Sequence, residues 1–159
     1  YLQVVICGQT SSRLPIQAGV PQGSILGPTL FLMYVNDCED HVPAGADLAS
    51  FADDTTLYAN ITPTTQEDTT QALQLAVNNI SRWGQEWKIK FEPAKSQAQT
   101  VSFHRTQWDM PPIDFNGSNV TEQEELNIFG ISFDGQLTFR RHLRTVALRA
   151  TQRLGALRK

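Results

Sequence analysis

The spacing of apolar positions along the chain predicts three helices. The first begins at Pro28, after Gly27, because proline suits the first turn of a helix, and its apolar run over residues 30–35 predicts a buried helix. The second begins near Thr64 or Thr65, with Asp68 in its first turn. Its apolar side consists of Leu73, Val77, Ile80 and Trp83. The third carries an apolar stripe at steps of three and four, formed by Phe139, Leu143, Val146, Ala150, Leu154 and Leu157.

Short β-prone runs predict strands between these helices. They cover residues 48–52, 55–59, 88–91, 99–103 and 126–133. Residues 113–120 are predicted to form a hairpin, because Asn116 and Gly117 favour a two-residue turn. The predicted fold class is α+β, an antiparallel sheet with helices packed on one of its faces.

Two adjacent carboxylates, Asp53 and Asp54, lie between two predicted strands. Because neighbouring like charges repel each other, a half-buried turn keeps both acids ionised mainly when a divalent cation binds them. Mg²⁺ prefers carboxylate oxygens and takes further ligands from waters and substrate phosphates. The pair therefore predicts a metal-binding hairpin tip and phosphoryl-transfer chemistry. The alternative is a solvated turn in which both acids face water and an aspartate caps its own backbone.

A loop rich in glycine and proline precedes the first helix. Residues 19–28 contain three glycines and two prolines, so the backbone there is flexible. Its amides and the helix start can receive an anionic or sugar-phosphate group, while Gln22 and Ser24 offer neutral polar contacts. The alternative is a connector without a ligand.

These motifs, in this order, resemble the palm of reverse transcriptases encoded by non-LTR retrotransposons. The matching segments are residues 18–28, 30–37 and 51–55. Residues 87–96 look like the stretch that carries the family's lysine, and residues 129–139 look like its primer-grip strand and the turn after it. Two long motifs in the right order are more specific than either alone. The resemblance covers nearly the whole chain and implies an RNA-directed DNA polymerase with a palm-type antiparallel sheet.

The resemblance implies roles for individual residues. Asp53 would be a catalytic metal ligand, and Asp54 would bind metal or position the primer end. Gln22 would contact the incoming nucleotide, and Gly23 would let the backbone approach it. The nucleotide-binding segment would comprise Pro21, Gln22, Gly23 and Ser24. Lys95 would protonate or stabilise the departing pyrophosphate, although such a lysine is also a common solvated surface residue.

The implied reaction needs two metal ions and three substrates. Mg²⁺ is the expected metal, with Mn²⁺ as a substitute, and two ions would act in the intact enzyme. The expected partners are an RNA template, a DNA primer and a dNTP, with no membrane. A primer 3′-hydroxyl would attack the α-phosphate of the nucleotide.

One part of the family's pattern is missing from the chain. Polymerases of this kind also use an aspartate on an upstream palm strand. Asp37 and Asp40 end the first helix, and Asp47 lies at the far end of its strand, on the order of 20 Å from Asp53. None of the three is well placed to substitute. We therefore expect a fragment that is inactive alone and depends on the upstream fingers and palm segment of the same polyprotein.

The expected domains follow from the same resemblance. Residues 1–135 would be a partial palm without the fingers and the first catalytic strand, and residues 136–159 would begin the thumb. Residues 1–10 would be the strand before the glycine-rich loop.

Charge is distributed unevenly along the chain. The first 139 residues hold all sixteen acids and six of the thirteen basic residues, a net charge of −10, whereas the last twenty carry +7. The third helix is therefore basic, and in the family it would begin the thumb that grips the primer–template duplex. Its candidate contacts are Arg140, Arg141, Arg144, Arg149 and Arg153. The alternative is an amphipathic helix with a solvated charged face.

Composition narrows the remaining possibilities. The longest apolar run, residues 30–35, is too short to span a bilayer. Cys7 and Cys38 form no metal or disulfide pattern, which indicates buried thiols and an intracellular protein, in the nucleus or the cytoplasm. Two alternatives to a polymerase fragment are a non-catalytic nucleic-acid-binding remnant of a retroelement and a decayed fragment without activity.

Overall fold

The computed structural model describes residues 1–17, 19–20, 23–103 and 110–157. The chain divides into two compact units, Tyr1–Phe91 and Glu92–Lys159. Within the residues just given they contain three α-helices and small antiparallel sheets, a mixed α/β composition. The sequence predicts a boundary between palm and thumb at residue 135. This boundary stays a prediction.

The first unit contains two hairpins and two helices. In chain order its elements are β1 (Val5–Ile6), β2 (Gln9–Thr10), α1 (Gly27–Val35), a 3₁₀ helix (Cys38–His41), β3 (Asp47–Phe51), β4 (Asp54–Tyr58) and α2 (Gln66–Glu86).

The first ten residues form a hairpin, so the prediction of a single strand there was wrong. β1 pairs antiparallel with β2, and Cys7 and Gly8 make the turn with φ values of +50° and +77°. Two consecutive positive φ values match the twist of a tight hairpin turn, and glycine adopts the second without strain. Cys7 is exposed at this turn, contrary to the expectation of a buried thiol, whereas Cys38 is buried as expected.

Helix α1 begins at Gly27 with Pro28 in its first turn, which confirms the predicted start. The expectation of a buried helix was wrong, since Leu32 is 58% exposed and Met33 72% exposed. Gly27 at the start of α1 is buried, and the C-terminal end of the helix also packs within the unit. Tyr34 places its ring edge-on to Trp87 and donates its hydroxyl to the Trp87 carbonyl, and Val35 packs on the core.

Helix α2 confirms the predicted second helix and carries the centre of the core. Its Ile80 and Trp83 pack with Cys38 of the 3₁₀ helix, and Leu48 and Leu57 of the β3–β4 hairpin pack against this cluster. Trp83 is only 2% exposed, and its indole N–H donates a hydrogen bond of 3.1 Å to Asp37 Oδ1. A buried indole needs such a partner, so this bond connects α2 to the segment after α1.

Residues 88–91 do not form the predicted strand. Lys88 takes a φ of +57°, and the Ile89 N–H donates to the Gly84 carbonyl at 2.7 Å. This left-handed residue and its bond end α2 in the manner of a helix C-cap. Phe91 then folds back onto the helix, where its ring lies against Gly84.

The second unit contains two hairpins and the basic helix. Its elements are a 3₁₀ helix (Pro93–Lys95), β5 (Ile113–Phe115), β6 (Ser118–Val120), β7 (Glu125–Ile128), β8 (Ile131–Asp134) and α3 (Arg140–Leu157). The β5–β6 pair with Asn116 and Gly117 at its turn confirms the predicted hairpin.

Residues 126–133 were predicted as one strand, and this was wrong. They belong to the β7–β8 hairpin, in which Phe129 and Gly130 form the turn with φ values of +53° and +78°. Phe129 is unusual in this region because a large side chain rarely adopts a positive φ.

Residues 99–103 also lack the predicted strand. The Thr100 N–H donates to the Glu122 carboxylate at 2.8 Å, and the Ser102 N–H donates to the Gly135 carbonyl at 2.8 Å. Because these donors are satisfied without a neighbouring strand, the segment stays irregular.

The strands within the described residues pair as four separate two-stranded hairpins, where one antiparallel sheet was predicted.

We predict that Gly84→Ala destabilises the protein. A methyl group would lie 2.7 Å from Phe91 Cε2 and 2.9 Å from the Ile89 carbonyl oxygen, which is backbone and cannot easily move. The overpacking should cost about 1–3 kcal/mol of unfolding free energy, measured by urea denaturation.

Gly155→Ala is the matched control, since Gly155 of α3 has open space around its Cα. Alanine at position 155 should raise the stability of the helix by roughly 0.5–1 kcal/mol. Stabilisation by both substitutions would contradict the close approach at Gly84.

A second prediction concerns Ala52, which has a φ of +52° in the turn between β3 and β4. An L-residue in this conformation costs roughly 1–2 kcal/mol, so Ala52→Gly should be neutral or stabilising by up to about 1 kcal/mol.

Ala49→Gly, three residues earlier within β3, provides the control. The same chemical change in extended backbone should destabilise by about 0.5–1 kcal/mol. Equal losses in urea denaturation at both positions would show that the Ala52 turn is not strained.

Candidate functional site

Asp53 and Asp54 lie at the tip of the β3–β4 hairpin, as predicted. The register pairs Phe51 with Asp54, so the two turn residues are Ala52 and Asp53, and Asp54 is the first residue of β4. The positive φ at Ala52 alone matches a turn whose first central residue is left-handed. Both carboxylates are exposed, which differs from the expected half-buried turn.

The hairpin holds this tip because its two faces differ. Leu48 and Leu57 are a cross-strand pair that packs on the core of the first unit. Since side chains alternate along a strand, Phe51 and Asp54 belong to the opposite face. One face therefore anchors the hairpin, and the tip presents two adjacent carboxylates to solvent.

This donor set suits a hard divalent cation but forms only part of a binding site. Carboxylate oxygens are the ligands that Mg²⁺ prefers, and Mg²⁺ keeps waters on its other positions. Across the part of the chain that the structure describes, no group of three or more His, Cys, Asp or Glu side chains is placed to hold a metal.

Three aspartates considered as partners of the pair lie outside the hairpin tip. Asp47 pairs with Tyr58 at the opposite end of the hairpin, about 13 Å along the strands from the Phe51–Asp54 pair. Asp37 accepts the Trp83 indole N–H, and Asp40 lies in the 3₁₀ helix that follows. Asp47 is therefore too far along the hairpin to join the pair, and the expectation for Asp37 and Asp40 stays a prediction.

The glycine-rich loop is described in part. Gly19 and Gly23 have φ values of +83° and +82°, with open space where a Cβ would lie. Ser24 is exposed ahead of α1. Pro21 and Gln22 lie outside the described residues. The nucleotide-binding role of Pro21, Gln22, Gly23 and Ser24 stays a prediction.

Lys95 ends the 3₁₀ helix Pro93–Lys95 in the second unit and is exposed. Its backbone N–H donates to the Glu92 carbonyl at 3.0 Å. An exposed lysine is compatible with a contact to the pyrophosphate leaving group and equally with an ordinary solvated surface position. The role of Lys95 in catalysis therefore stays a prediction.

The five candidate arginines are all exposed on α3. At 3.6 residues per turn, Arg140 and Arg144 lie on one side of the helix and Arg149 and Arg153 on the other, with the apolar stripe between them. Arg141 forms an ion pair of 3.2 Å with Glu125 of β7. α3 therefore presents separate basic flanks and is joined to the hairpin near its first turn.

Two residues with well-defined contacts were not recognised from the sequence. Asp134 accepts four hydrogen bonds in the turn before α3, and an aspartate followed four residues later by threonine is the signal that could have revealed it. Asp37 is the partner of Trp83, and no local signal connects residues 46 positions apart.

Burial raises the pKa of Cys38 to about 11, and the nearby charge of Asp37 acts in the same direction. Its thiol is therefore protonated at neutral pH, and Cys38, which is buried with Ile80 and Trp83, is part of the core.

None of the helices in the described residues is long and apolar enough to cross a membrane.

Comparison with known proteins connects these features to a family. Residues 1–133 match the reverse transcriptase (RNA-dependent DNA polymerase) family. The chain is 30% identical over 149 residues to the RNA-directed DNA polymerase from mobile element jockey of Drosophila melanogaster, covering 90% of this chain and 16% of that protein. The jockey polymerase of Drosophila funebris is 33% identical over 142 residues, covering 86% of this chain and 15% of that protein.

A similar relative is a retrovirus-related Pol polyprotein from the type-1 retrotransposable element R1 of Bradysia coprophila, which is 27% identical over 150 residues and covered over 14% of its length. No solved structure matches the chain at a significant level. The chain thus spans about a sixth or less of these relatives. The resemblance to the enzymes of non-LTR retrotransposons is confirmed, and the chain belongs to the reverse transcriptase family.

Proposed function

We propose that this chain is the part of an RNA-directed DNA polymerase that carries the catalytic aspartate pair, with residues 1–135 in a palm-type domain and residues 136–159 at the start of the thumb. The family match and the placement of Asp53 and Asp54 at a hairpin tip support this proposal.

The observation that carries the proposal is the hairpin itself. Its inner face is anchored by Leu48 and Leu57, and its tip exposes two carboxylates with no core contact of their own. Such a tip can bring negative charge to a metal and a substrate that approach from solvent.

In the reaction, a primer 3′-hydroxyl attacks the α-phosphate of a dNTP, and pyrophosphate leaves. Two Mg²⁺ ions, if bound, would supply activation of the hydroxyl and stabilisation of the leaving group. Asp53 and Asp54 would hold them together with a further carboxylate. Gln22 and Gly23 would contact the nucleotide, and Lys95 would give a proton or a positive charge to the departing pyrophosphate. An RNA template and a DNA primer complete the set of partners.

We predict that Asp53→Asn abolishes RNA-templated primer extension by a polypeptide of the relatives' length that carries this segment. The substitution keeps the shape of the side chain but removes the charge that holds a metal ion. Extension is measured with Mg²⁺ and again with Mn²⁺, and no product should form with either.

Asp47→Asn is the control, because it removes the same charge at the other end of the same hairpin. Primer extension by the Asp47→Asn protein should continue at close to the parent rate. Retained synthesis by the Asp53→Asn protein would refute the metal-binding role.

A second function, binding of nucleic acid by α3, is supported by the charge pattern. The helix contains no acidic residue and exposes Arg140, Arg144, Arg149 and Arg153. A basic helix next to an acidic remainder can bind phosphates through point charges without any metal. This property would persist in a non-catalytic remnant.

We predict that the chain binds an RNA–DNA duplex and that binding weakens steeply with added salt. Arg144→Gln should reduce the slope of log K against log[salt] by about 0.9, as expected for one lost phosphate contact. Fluorescence anisotropy between low and moderate salt measures both quantities.

Arg13→Gln serves as the control, since Arg13 is exposed in the acidic first unit. It should leave the slope unchanged. An identical slope for all three proteins would exclude α3 as the binding element.

A further inference from the structure

A single carboxylate organises the turn between β8 and α3. Asp134 Oδ1 accepts the N–H groups of Gln136 at 3.1 Å and Thr138 at 3.0 Å. Its Oδ2 accepts the Thr138 hydroxyl at 2.9 Å and the Phe139 N–H at 2.8 Å. The Asp134 carbonyl also accepts the Leu137 N–H at 2.9 Å. Bonds to an ionised acceptor are stronger than those between neutral groups, so this side chain determines the path of residues 134–139.

The turn contains two residues in a conformation that L-residues avoid. Leu137 has a φ of +53° and Phe139 a φ of +56°. Neither is a glycine or an asparagine, so their own preferences oppose this path. The Asp134 carboxylate accepts hydrogen bonds from Gln136, before Leu137, and from Thr138 and Phe139, after it. The carboxylate is therefore the group that holds both residues in place.

The same carboxylate lies at the start of α3. The Phe139 carbonyl accepts the helical bond from the Leu143 N–H at 2.9 Å, and the Arg140 N–H donates to the Thr138 hydroxyl oxygen at 3.5 Å. A negative charge next to a helix N-terminus is stabilised by the helix dipole. The Thr138 backbone N–H lowers the pKa of the Asp134 carboxyl, and the Thr138 hydroxyl and the Phe139 and Gln136 N–H groups add to this effect, so Asp134 is ionised at neutral pH.

The contacts described between the hairpin and the start of α3 lie in the first turn of the helix or in the residues just before it. Besides the Asp134 bonds, these are the Arg141–Glu125 ion pair, the hydrogen bond of 3.4 Å from the Ser132 N–H to His142 Nδ1, and the edge-on packing of Phe139 against Phe133. Residues 143–157 are exposed along their length. The direction of the long exposed part of the helix therefore depends on how its first turn is held.

We propose that Asp134 is a positioning residue, which sets the direction in which α3 leaves the β7–β8 hairpin and thereby places its two basic flanks, with Arg144 on one and Arg149 and Arg153 on the other, against nucleic-acid phosphates. This inference rests on the proposed binding function of α3. Asp134 contacts no phosphate, and its charge would repel one. Its effect on binding passes through the helix.

The test compares Asp134→Asn with the parent chain. Asparagine keeps one acceptor oxygen but replaces the other with a donor, which faces either the Gln136 and Thr138 N–H groups or the Phe139 N–H. Amide hydrogen exchange at Thr138, Phe139 and Leu143 should accelerate on the order of tenfold, and the affinity for an RNA–DNA duplex should fall by a similar factor. A removed negative charge alone would instead raise the affinity.

Asp114→Asn is the matched control in the same unit. The Asp114 carboxylate accepts the Gly117 N–H at 2.9 Å in the β5–β6 turn, so the substitution removes the same charge from a turn that does not lead into α3. In the Asp114→Asn chain, amide hydrogen exchange at Thr138 and Phe139 should equal that of the parent chain, and the affinity for the RNA–DNA duplex should not fall.

A double-substitution cycle separates positioning from a general loss of structure. Arg149→Gln should weaken binding in the parent chain and have a smaller effect in the Asp134→Asn chain, because a displaced helix no longer brings Arg149 to the phosphates. If the Asp134→Asn chain fails to fold, Thr138→Val carries the same measurements, since it keeps the carboxylate and removes the hydroxyl bond to it, together with the longer bond of 3.5 Å from the Arg140 N–H.

The outcomes distinguish the two proposals. Unchanged exchange at Thr138 and Phe139 overturns the role of Asp134 in the turn. Faster exchange with unchanged affinity, or with additive effects of the two substitutions, overturns its role in positioning the arginines. No effect of Arg149→Gln in the parent chain shows that α3 is not the binding element, and the positioning role then falls with the proposed binding function.

Discussion

The burial of Trp83 is the constraint on which the first unit depends. Its ring is almost fully enclosed, and its indole N–H would be left without a partner if Asp37 did not accept it. This bond joins the middle of the chain to the segment after α1, and the apolar cluster around it includes one face of the β3–β4 hairpin. The position of the aspartate pair is therefore a consequence of how α2 packs against the hairpin.

The hairpin tip combines conformational strain with repulsion between like charges. Ala52 has a positive φ although it is not a glycine, and two carboxylates follow it directly. Sites of function often keep such unfavourable local features, provided that the surrounding structure maintains them. Here the cross-strand pair of Leu48 and Leu57 provides the support. Exposure of the tip also leaves both carboxylates open to solvent.

In the second unit, charged groups hold the start of α3 in place, whereas the first unit is organised around a buried apolar cluster. No residue of α3 is buried, so apolar contacts contribute little to its position within the described chain. The helix is held by charge-assisted bonds at its start, through Asp134 and the Arg141–Glu125 pair. Such an arrangement leaves both arginine flanks in solvent, which suits a surface that binds phosphates. It also concentrates the control of the helix direction in a few residues.

Local signals in the sequence determined the start of α1 at Pro28, the extent of α2, the turn at Asn116 and the hairpin that carries Asp53. Each depends on residues within a few positions of one another, so propensity and periodicity suffice. Only the tertiary structure decided that α1 is exposed, that residues 99–103 bond to Glu122 and Gly135 without forming a strand, and that Trp83 pairs with Asp37. The two sets of hydrogen bonds join residues more than twenty positions apart, and the exposure of α1 depends on which other segments cover it. Neither can be predicted from local sequence patterns.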